Sequence, residues 1–387
     1  MKKYRILTFA VFLLYVTYLA AKNVYTSEII EIVRHFGVSK SDAGAASSFS
    51  FVTYALVQIL FVKIIGKIDV RKYLLIFSPI SVVLFALVPF CTDIRQIWAI
   101  FAAEGALLSG VFPVCMLVIS EYLPDELIPT ANRYTGVAFA LSFSLDYFCS
   151  ALFIKFADWR LGFYIFPAIY MITVIFFCRA LSVCEKQDRE KVTSERGNAG
   201  KGRVFGYLLV AGMSGLLVNM IYYAVANWVP NLLTEQFGLT PALSVLITLA
   251  VPLSGAAGSA VCLWLCAKNR YMIMILSACA LALSLVLTGV YRLFFILTVA
   301  LIILLLFVVR GVAHVLGWQV PIDAKRIMDP SSAATVINIF GCVGAAAGPV
   351  IFGALADSYN YTVFFAAAAV CAAVMTAFTV FGRKTMN

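Results

Sequence analysis

Twelve apolar stretches fall at about 6–25, 43–65, 73–91, 96–119, 134–154, 161–181, 204–228, 242–265, 272–290, 293–318, 333–355 and 361–381 of a 387-residue chain. Each approaches or exceeds the roughly 20 residues that a helix needs to cross a bilayer. Inside lipid no water satisfies backbone N–H and C=O groups, so such segments must be helices that bond internally. The expectation is an all-α membrane protein with almost no soluble domain. Charged residues make up 12% of the chain, against about 25% in a soluble domain. The first run is too long for a signal peptide and ends in no A-x-A-like site, so it is expected to remain as helix one.

The formal charge of +10 has two readings, a nucleic-acid surface or a membrane topology, and its distribution favours the second. Most Lys and Arg residues fall in one alternate set of connecting segments. The other set holds only Arg34, Lys40, Arg95, Lys155, Arg160 and Arg292. Under the positive-inside rule this pattern places both termini in the cytoplasm of a multi-pass cell-membrane protein. No nucleic-acid partner is expected. The ten cysteines lie mostly within apolar runs without metal-ligand spacing, and they read as small core residues.

One long stretch breaks the apolar pattern, Glu185 to Arg203. It is too polar to bury a core and reads as a cytoplasmic linker (185–203) between two six-helix bundles, 1–184 and 204–387. The halves resemble each other. His35-Phe36-Gly37-Val38-Ser39 matches Gln236-Phe237-Gly238-Leu239-Thr240, and Phe101-Ala102-Ala103-Glu104-Gly105 matches Phe307-Val308-Val309-Arg310-Gly311. A third pair, Lys67-Ile68-Asp69-Val70-Arg71-Lys72-Tyr73 and Ala267-Lys268-Asn269-Arg270-Tyr271, occupies equivalent basic loops. Duplicated six-helix halves are a known plan of secondary transporters.

The third pair resembles the loop signature G-x-x-x-D-R/K-x-G-R/K-R/K of the major facilitator superfamily, with Gly66 and Cys266 standing where that family carries an acid. The resemblance implies two pseudo-twofold-related six-helix bundles with helices one, four, seven and ten around a central cavity. Tyr18-Leu19-Ala20-Ala21-Lys22-Asn23 and Tyr222-Tyr223-Ala224-Val225-Ala226-Asn227-Trp228 further resemble the organophosphate:phosphate antiporter branch. That branch holds phosphate with an arginine beside the helix-one lysine and another in helix seven. Here the positions read Ala21 and Tyr222, and neither supplies the planar fork of two charge-assisted hydrogen bonds. The expectation is a relative that does not carry phosphate esters.

Ionisable side chains within spanning helices cost about 2.5–3.5 kcal/mol each at the centre and usually face a cavity or a partner. Five side chains need such a reason here: Lys22, Glu104, Asp146, Arg310 and His314. Glu104 and Arg310 are repeat-equivalent, and they either pair across the two halves or bind substrate from both. His314 follows Arg310 by one turn and shares its face; it is a proton carrier or a neutral hydrogen-bonding group. Asp146 either carries a proton in its apolar setting or pairs with Lys22. Lys22 in turn either faces the cavity or snorkels outward. Tyr222, Tyr223, Asn227 and Trp318 are candidates to line a substrate site with Lys22 and Arg310, while Glu104, Asp146 and His314 are the candidate proton-coupling groups. The small residues of helix eleven, Gly341 to Pro349, read as packing elements.

No H-E-x-x-H, Walker or G-x-S-x-G motif occurs, and the chain has only two histidines. No catalytic residue, cofactor or metal site is therefore expected. The chain reads as a monomeric secondary transporter that moves a small solute, an organic anion, in exchange or symport with protons by alternating access. The alternative is a proton-coupled drug or neutral-solute antiporter.

Overall fold

The computed structural model describes residues 1–64, 68–187, 201–269, 271–320 and 330–381. Among these there are helices and turns and no strand. Twelve helices are long and apolar enough to cross a membrane. In chain order they are α1 (Lys2–Phe36), α2 (Lys40–Phe61), α3 (Val70–Phe90), α4 (Ile94–Tyr122), α5 (Asp125–Phe156), α6 (Trp159–Ser182), α7 (Gly206–Phe237), α8 (Pro241–Lys268), α9 (Met272–Val290), α10 (Phe295–Gly317), α11 (Val336–Ser358) and α12 (Tyr361–Val380). Large apolar side chains point outward at Leu60 (61% exposed), Ile172 (66%) and Ile296 (80%). In water such positions would cost stability, but lipid tails accept them as readily as a core does.

The expected duplication is visible in local geometry. Gly37 and Gly238 are the described residues with positive φ, at 61° and 66°. Each follows a long helix, α1 or α7, and takes the left-handed turn that glycine adopts at least cost. Asp69 accepts from the backbone N–H of Arg71 (3.0 Å) and Lys72 (3.3 Å) at the start of α3. Its counterpart Asn269 accepts from Tyr271 (3.0 Å) before α9. The aspartate of the loop signature thus caps a helix, as short polar side chains do. Gly66 and Arg270 lie outside the described residues.

Close helix approach repeats as well. A Cβ on Gly105 in α4 would collide with the Ser50 carbonyl of α2, and one on Gly311 in α10 would collide with the Cys262 side chain of α8. In α11, Gly344 and Gly348 lie against the backbone of α7 at Leu216 and Met220, and the Trp228 indole donates to the Pro349 carbonyl at 2.8 Å. The small residues of helix eleven therefore pack, as read from the sequence.

The chain clusters into two compact units. The first comprises Met1–Val38, Phe49–Lys191 and Thr240–Pro252; the second comprises Ser39–Ser48, Val192–Leu239 and Leu253–Asn387. The segments that follow the two left-handed glycines are thus grouped with the unit opposite to their half. Ser39–Ser48 holds to the second unit through Lys40, whose Nζ meets Asp357 at 2.9 Å and Glu235 at 3.0 Å. Gly44 adds a close approach, since a Cβ there would lie 2.9 Å from the Pro349 carbonyl. Within the first unit, the opening turns of α8 bury Val245 against Phe143 and Tyr147 of α5. The helix leading into α7 begins at Lys201, inside the expected linker; residues 188–200 lie outside the described set.

α4 breaks at Ser109–Gly110. The Tyr73 hydroxyl donates to the Leu107 carbonyl (2.6 Å) and accepts from the Gly110 N–H (3.0 Å), replacing hydrogen bonds that lipid cannot supply.

Overpacking at a close approach costs about 1–3 kcal/mol. Gly105→Ala and Gly311→Ala are expected to lower the thermal midpoint of the purified protein. Gly289→Ala, where a Cβ meets nothing within 4 Å, is expected to leave it unchanged or raise it slightly. Equal midpoints for all three would contradict the packing described.

Candidate functional site

In the first unit, hydroxyl pairs hold the helices in register. Thr17 of α1 meets Thr173 of α6 at 2.6 Å, Ser27 of α1 meets Ser150 of α5 at 2.8 Å, and Ser78 of α3 meets Tyr170 of α6 at 2.9 Å. Such bonds are about 0.6 kcal/mol each between membrane helices, and their value here is geometric. They fix which faces of α1, α3, α5 and α6 meet.

Glu104 on α4 is 2% exposed. Its Oε2 accepts a 2.6 Å hydrogen bond from Ser81 of α3, and its Oε1 has no hydrogen-bond partner. Lys22 on α1 faces α2. Its Nζ lies over the rings of Tyr54 (4.1 Å) and Phe51 (4.8 Å) of α2, cation–π contacts of the kind that strengthen when desolvated. Asp146 on α5 is fully buried and both of its oxygens lack a hydrogen-bond partner. The proposed pairing of Asp146 with Lys22 is therefore not formed: the lysine is directed to α2.

In the second unit, the Arg310 guanidinium of α10 lies 5.2 Å from the centroid of the Tyr222 ring on α7. Tyr222 is 1% exposed and stands edge-on to Tyr223, with ring centroids 5.4 Å apart. Gly255 of α8 makes room for the arginine, since a Cβ there would sit 3.1 Å from Arg310 Cγ. His314, one turn beyond, feels the Arg310 charge. A π-helical turn follows at Val315–Gln319, a rare geometry that is frequent at functional sites; the side chains of Trp318 and Gln319 lie outside the described set. Asn227 is 1% exposed, and its amide oxygen has no hydrogen-bond partner.

The structure thus brings Arg310, Tyr222, Tyr223 and His314 into one neighbourhood of the second unit. Lys22, Glu104 and Asp146 fall at three separate places in the first. Two residues escaped the sequence reading. Gly255 lies in the small-residue run Ser254-Gly255-Ala256-Ala257-Gly258, whose density of glycine was the available signal. Glu28 lies beyond the expected end of helix one yet is fully buried. Its helical spacing from Ala21, Tyr25 and Ile32, all 1% exposed or less, was the sign that the buried face continued.

Comparison with known proteins identifies the family and the fold. The sequence profile of the Major Facilitator Superfamily matches residues 10–324. The chain belongs to that superfamily and is a multi-pass membrane transporter, not an enzyme. A bacterial homologue of the human lysosomal transporter Spinster, in an inward-facing and unoccupied conformation, superposes with a TM-score of 0.82 at 11% identity, covering 99% of this chain and 98% of that one. The same homologue in an inward-facing, occupied conformation gives 0.79 at 14%, covering 100% and 98%. The nucleoside transporter NupG gives 0.70 at 11%, covering 99% and 100%. No curated protein matches the chain in sequence.

Ser81→Ala removes the donor to a buried carboxyl, and an orphaned group of this kind costs about 1–3 kcal/mol. The variant is expected to show a lower thermal midpoint. Ser284→Ala serves as the control, because that buried hydroxyl bonds only to the Ala280 carbonyl one turn back in its own helix (2.8 Å), a contact of little net value. Equal midpoints for the two variants would mean that the Ser81–Glu104 bond is not a structural element.

Proposed function

We propose that this chain moves a small organic anion across the cell membrane as a monomer, by alternating access and coupled to protons. The observation that carries the reading is Arg310 over the Tyr222 ring. The ring face orients the guanidinium at this position. Guanidinium presents a planar fork of donors suited to a carboxylate. Lys22, steadied over Tyr54 and Phe51, supplies a second cation on a helix that lines the pathway in the resembled family. Tyr223 and Asn227 supply polar edges, and Trp318 completes the proposed substrate set.

Glu104, Asp146 and His314 are the proposed proton-coupling groups. Glu104 has one oxygen held by Ser81 and one without a hydrogen-bond partner, so it can accept a proton without breaking an existing bond. Arg310 and Glu104 remain repeat-equivalent, one in each half. Substrate at the arginine and a proton at the glutamate are the two loads whose linkage would couple the cycle.

Purified protein in proteoliposomes is expected to accumulate at least one carboxylate solute from a panel of organic acids, and an inward acid gradient is expected to increase that accumulation. Arg310→Gln removes charge-assisted hydrogen bonds of about 1.5–3 kcal/mol and should raise the KM roughly ten- to a hundredfold. Glycerol 3-phosphate and hexose phosphates are expected to show no saturable counterflow at micromolar concentration, since Ala21 and Tyr222 replace the resembled branch's arginines. Accumulation of a neutral nucleoside or a cationic drug, with none of any carboxylate, would replace this reading with the neutral-solute or drug antiporter.

The topology follows from the distribution of basic residues. A cysteine introduced at Asn198, in a variant lacking the native cysteines, is expected to resist an impermeant thiol reagent applied to intact cells and to react in inside-out vesicles. Labelling from outside would reverse the orientation.

A further inference from the structure

α4 and α10 lose their α-helical pattern at the same point of the repeat. Glu104 and Arg310 are repeat-equivalent, and the regular helix stops one turn beyond each, at Leu108 and at His314. The turn Ser109–Gly110 follows in α4, and the π-helical turn Val315–Gln319 follows in α10. At both places a tyrosine hydroxyl from another helix bonds the interrupted backbone. Tyr73 of α3 donates to the Leu107 carbonyl (2.6 Å) and accepts from the Gly110 N–H (3.0 Å). Tyr207 of α7, 3% exposed, donates to the Val320 carbonyl. Ser109 adds a bond to the Ala106 carbonyl at 2.8 Å, and the Val320 N–H closes the π-helical turn on the Val315 carbonyl.

The two tyrosines come from helices that are not repeat counterparts, so the hydroxyl answers a need of the break itself. Within a bilayer a freed backbone group has no water to turn to. A bond inside the helix fixes only its own turn, whereas a hydroxyl from the next helix ties the geometry of the break to the position of that helix. The same two helices also hold the charged side chain before the break. Ser81 of α3 donates to Glu104 at 2.6 Å, and the Tyr222 ring of α7 lies 5.2 Å from the Arg310 guanidinium. Each break is therefore held at two points by one neighbour, once through an ionisable side chain and once through the backbone. Both also carry a glycine. Gly110 admits the rings of Phe61 and Tyr73, which a Cβ would meet at 2.5 Å and 2.6 Å, and at Gly317 a Cβ would meet nothing within 4 Å.

We propose that Ser109–Gly110 and Val315–Gln319 are hinges, one in each half, and that Tyr73 and Tyr207 are the catches that hold them in their present geometry. Hinges are short breaks whose few residues absorb a backbone change, and π-helical turns are frequent at functional sites. A change at Glu104 reaches its hinge through α3, and a change at Arg310 reaches its hinge through α7, because each of those helices grips both points. Loading the charged residue then resets the bend beyond it. The part of the hinges in transport rests on the proposed loads at Arg310 and Glu104. The hinges themselves rest on the backbone geometry and its hydrogen bonds.

Rigid rocking of a bundle leaves the distances inside it unchanged, and a hinge does not. The test therefore reads distances within one unit at a time, by double electron–electron resonance on full-length protein in lipid nanodiscs, spin-labelled at cysteines introduced into a variant lacking the native ones. In the first unit, exposed Ser120 reports on α4 beyond its break and exposed Arg95 on α4 before it, each against Ile172 of α6. In the second, exposed Gly317 reports on the π-helical turn and Ile296 on the start of α10, each against Val370 of α12. Tyr73→Phe is expected to shift or broaden the Ser120–Ile172 distance and to spare Arg95–Ile172. Tyr207→Phe should do the same to Gly317–Val370 and spare Ile296–Val370. The conformer populations should move by roughly fivefold, the equivalent of one net hydrogen bond. Thr17→Val is the control: it removes a buried contact with Thr173 (2.6 Å) between α1 and α6, and it should move none of the four distances. Distances beyond the breaks that stay put in Tyr73→Phe and Tyr207→Phe, or that shift equally in Thr17→Val, would overturn the hinges. Proteoliposome uptake of the organic-acid panel tests the second layer, and both tyrosine variants are expected to slow it. Undiminished uptake alongside shifted distances would retire the hinges' part in transport. Failure of the anion reading shows separately, as no carboxylate accumulated by the wild-type protein, and leaves the distance result to be judged by itself.

Discussion

A bilayer offers neither water for polar atoms nor counter-ions for charges, and this constraint shapes every level of the chain. Backbone groups are closed within helices, and where α4 breaks at Ser109–Gly110 the Tyr73 hydroxyl takes over the freed carbonyl and N–H. Helices meet through small residues and through hydroxyl pairs, since apolar burial gives little drive when lipid is the alternative. Three of the ionisable groups inside have local support: Glu104 has Ser81, Lys22 has two aromatic faces, and Arg310 has the Tyr222 ring and the space left by Gly255.

The two halves repeat one plan in backbone detail while diverging in charge. Gly37 and Gly238 turn the chain alike, Asp69 and Asn269 cap alike, and Gly105 and Gly311 admit the neighbouring helix alike. Each of these positions is dictated by sterics or backbone satisfaction, which duplication preserves. The charges obey no such demand. The first half holds Lys22 with the buried acids Glu28, Glu104 and Asp146, and the second holds Arg310 with His314.

The number and approximate position of the spans were legible in the sequence because the bilayer sets their length and apolar content. The end of α1 was not. Its last turns, Thr26-Ser27-Glu28-Ile29-Ile30-Glu31-Ile32-Val33-Arg34-His35-Phe36, mix charges with apolar residues, so an apolar-run criterion stops at Tyr25 although the buried face runs on. Glu28 was lost with it. The repeat was legible through glycine and turn residues, whose requirements are local. The partners of the intramembrane charges were not, since a sequence reveals which helix carries a charge and not which neighbour that face meets. Lys22 turning to the Tyr54 and Phe51 rings of α2 is a tertiary fact of this kind.

On the proposed mechanism, the neighbourhood of Arg310 and Tyr222 lies on a path opened in turn to the two sides of the membrane. Its most direct test is the accessibility of Tyr223→Cys, in a variant lacking the native cysteines, to an impermeant thiol reagent in right-side-out and inside-out vesicles. Labelling in both orientations, slowed in each by a transported carboxylate, is the predicted result. Labelling from one side alone, unaffected by any solute that the protein moves, would contradict the account.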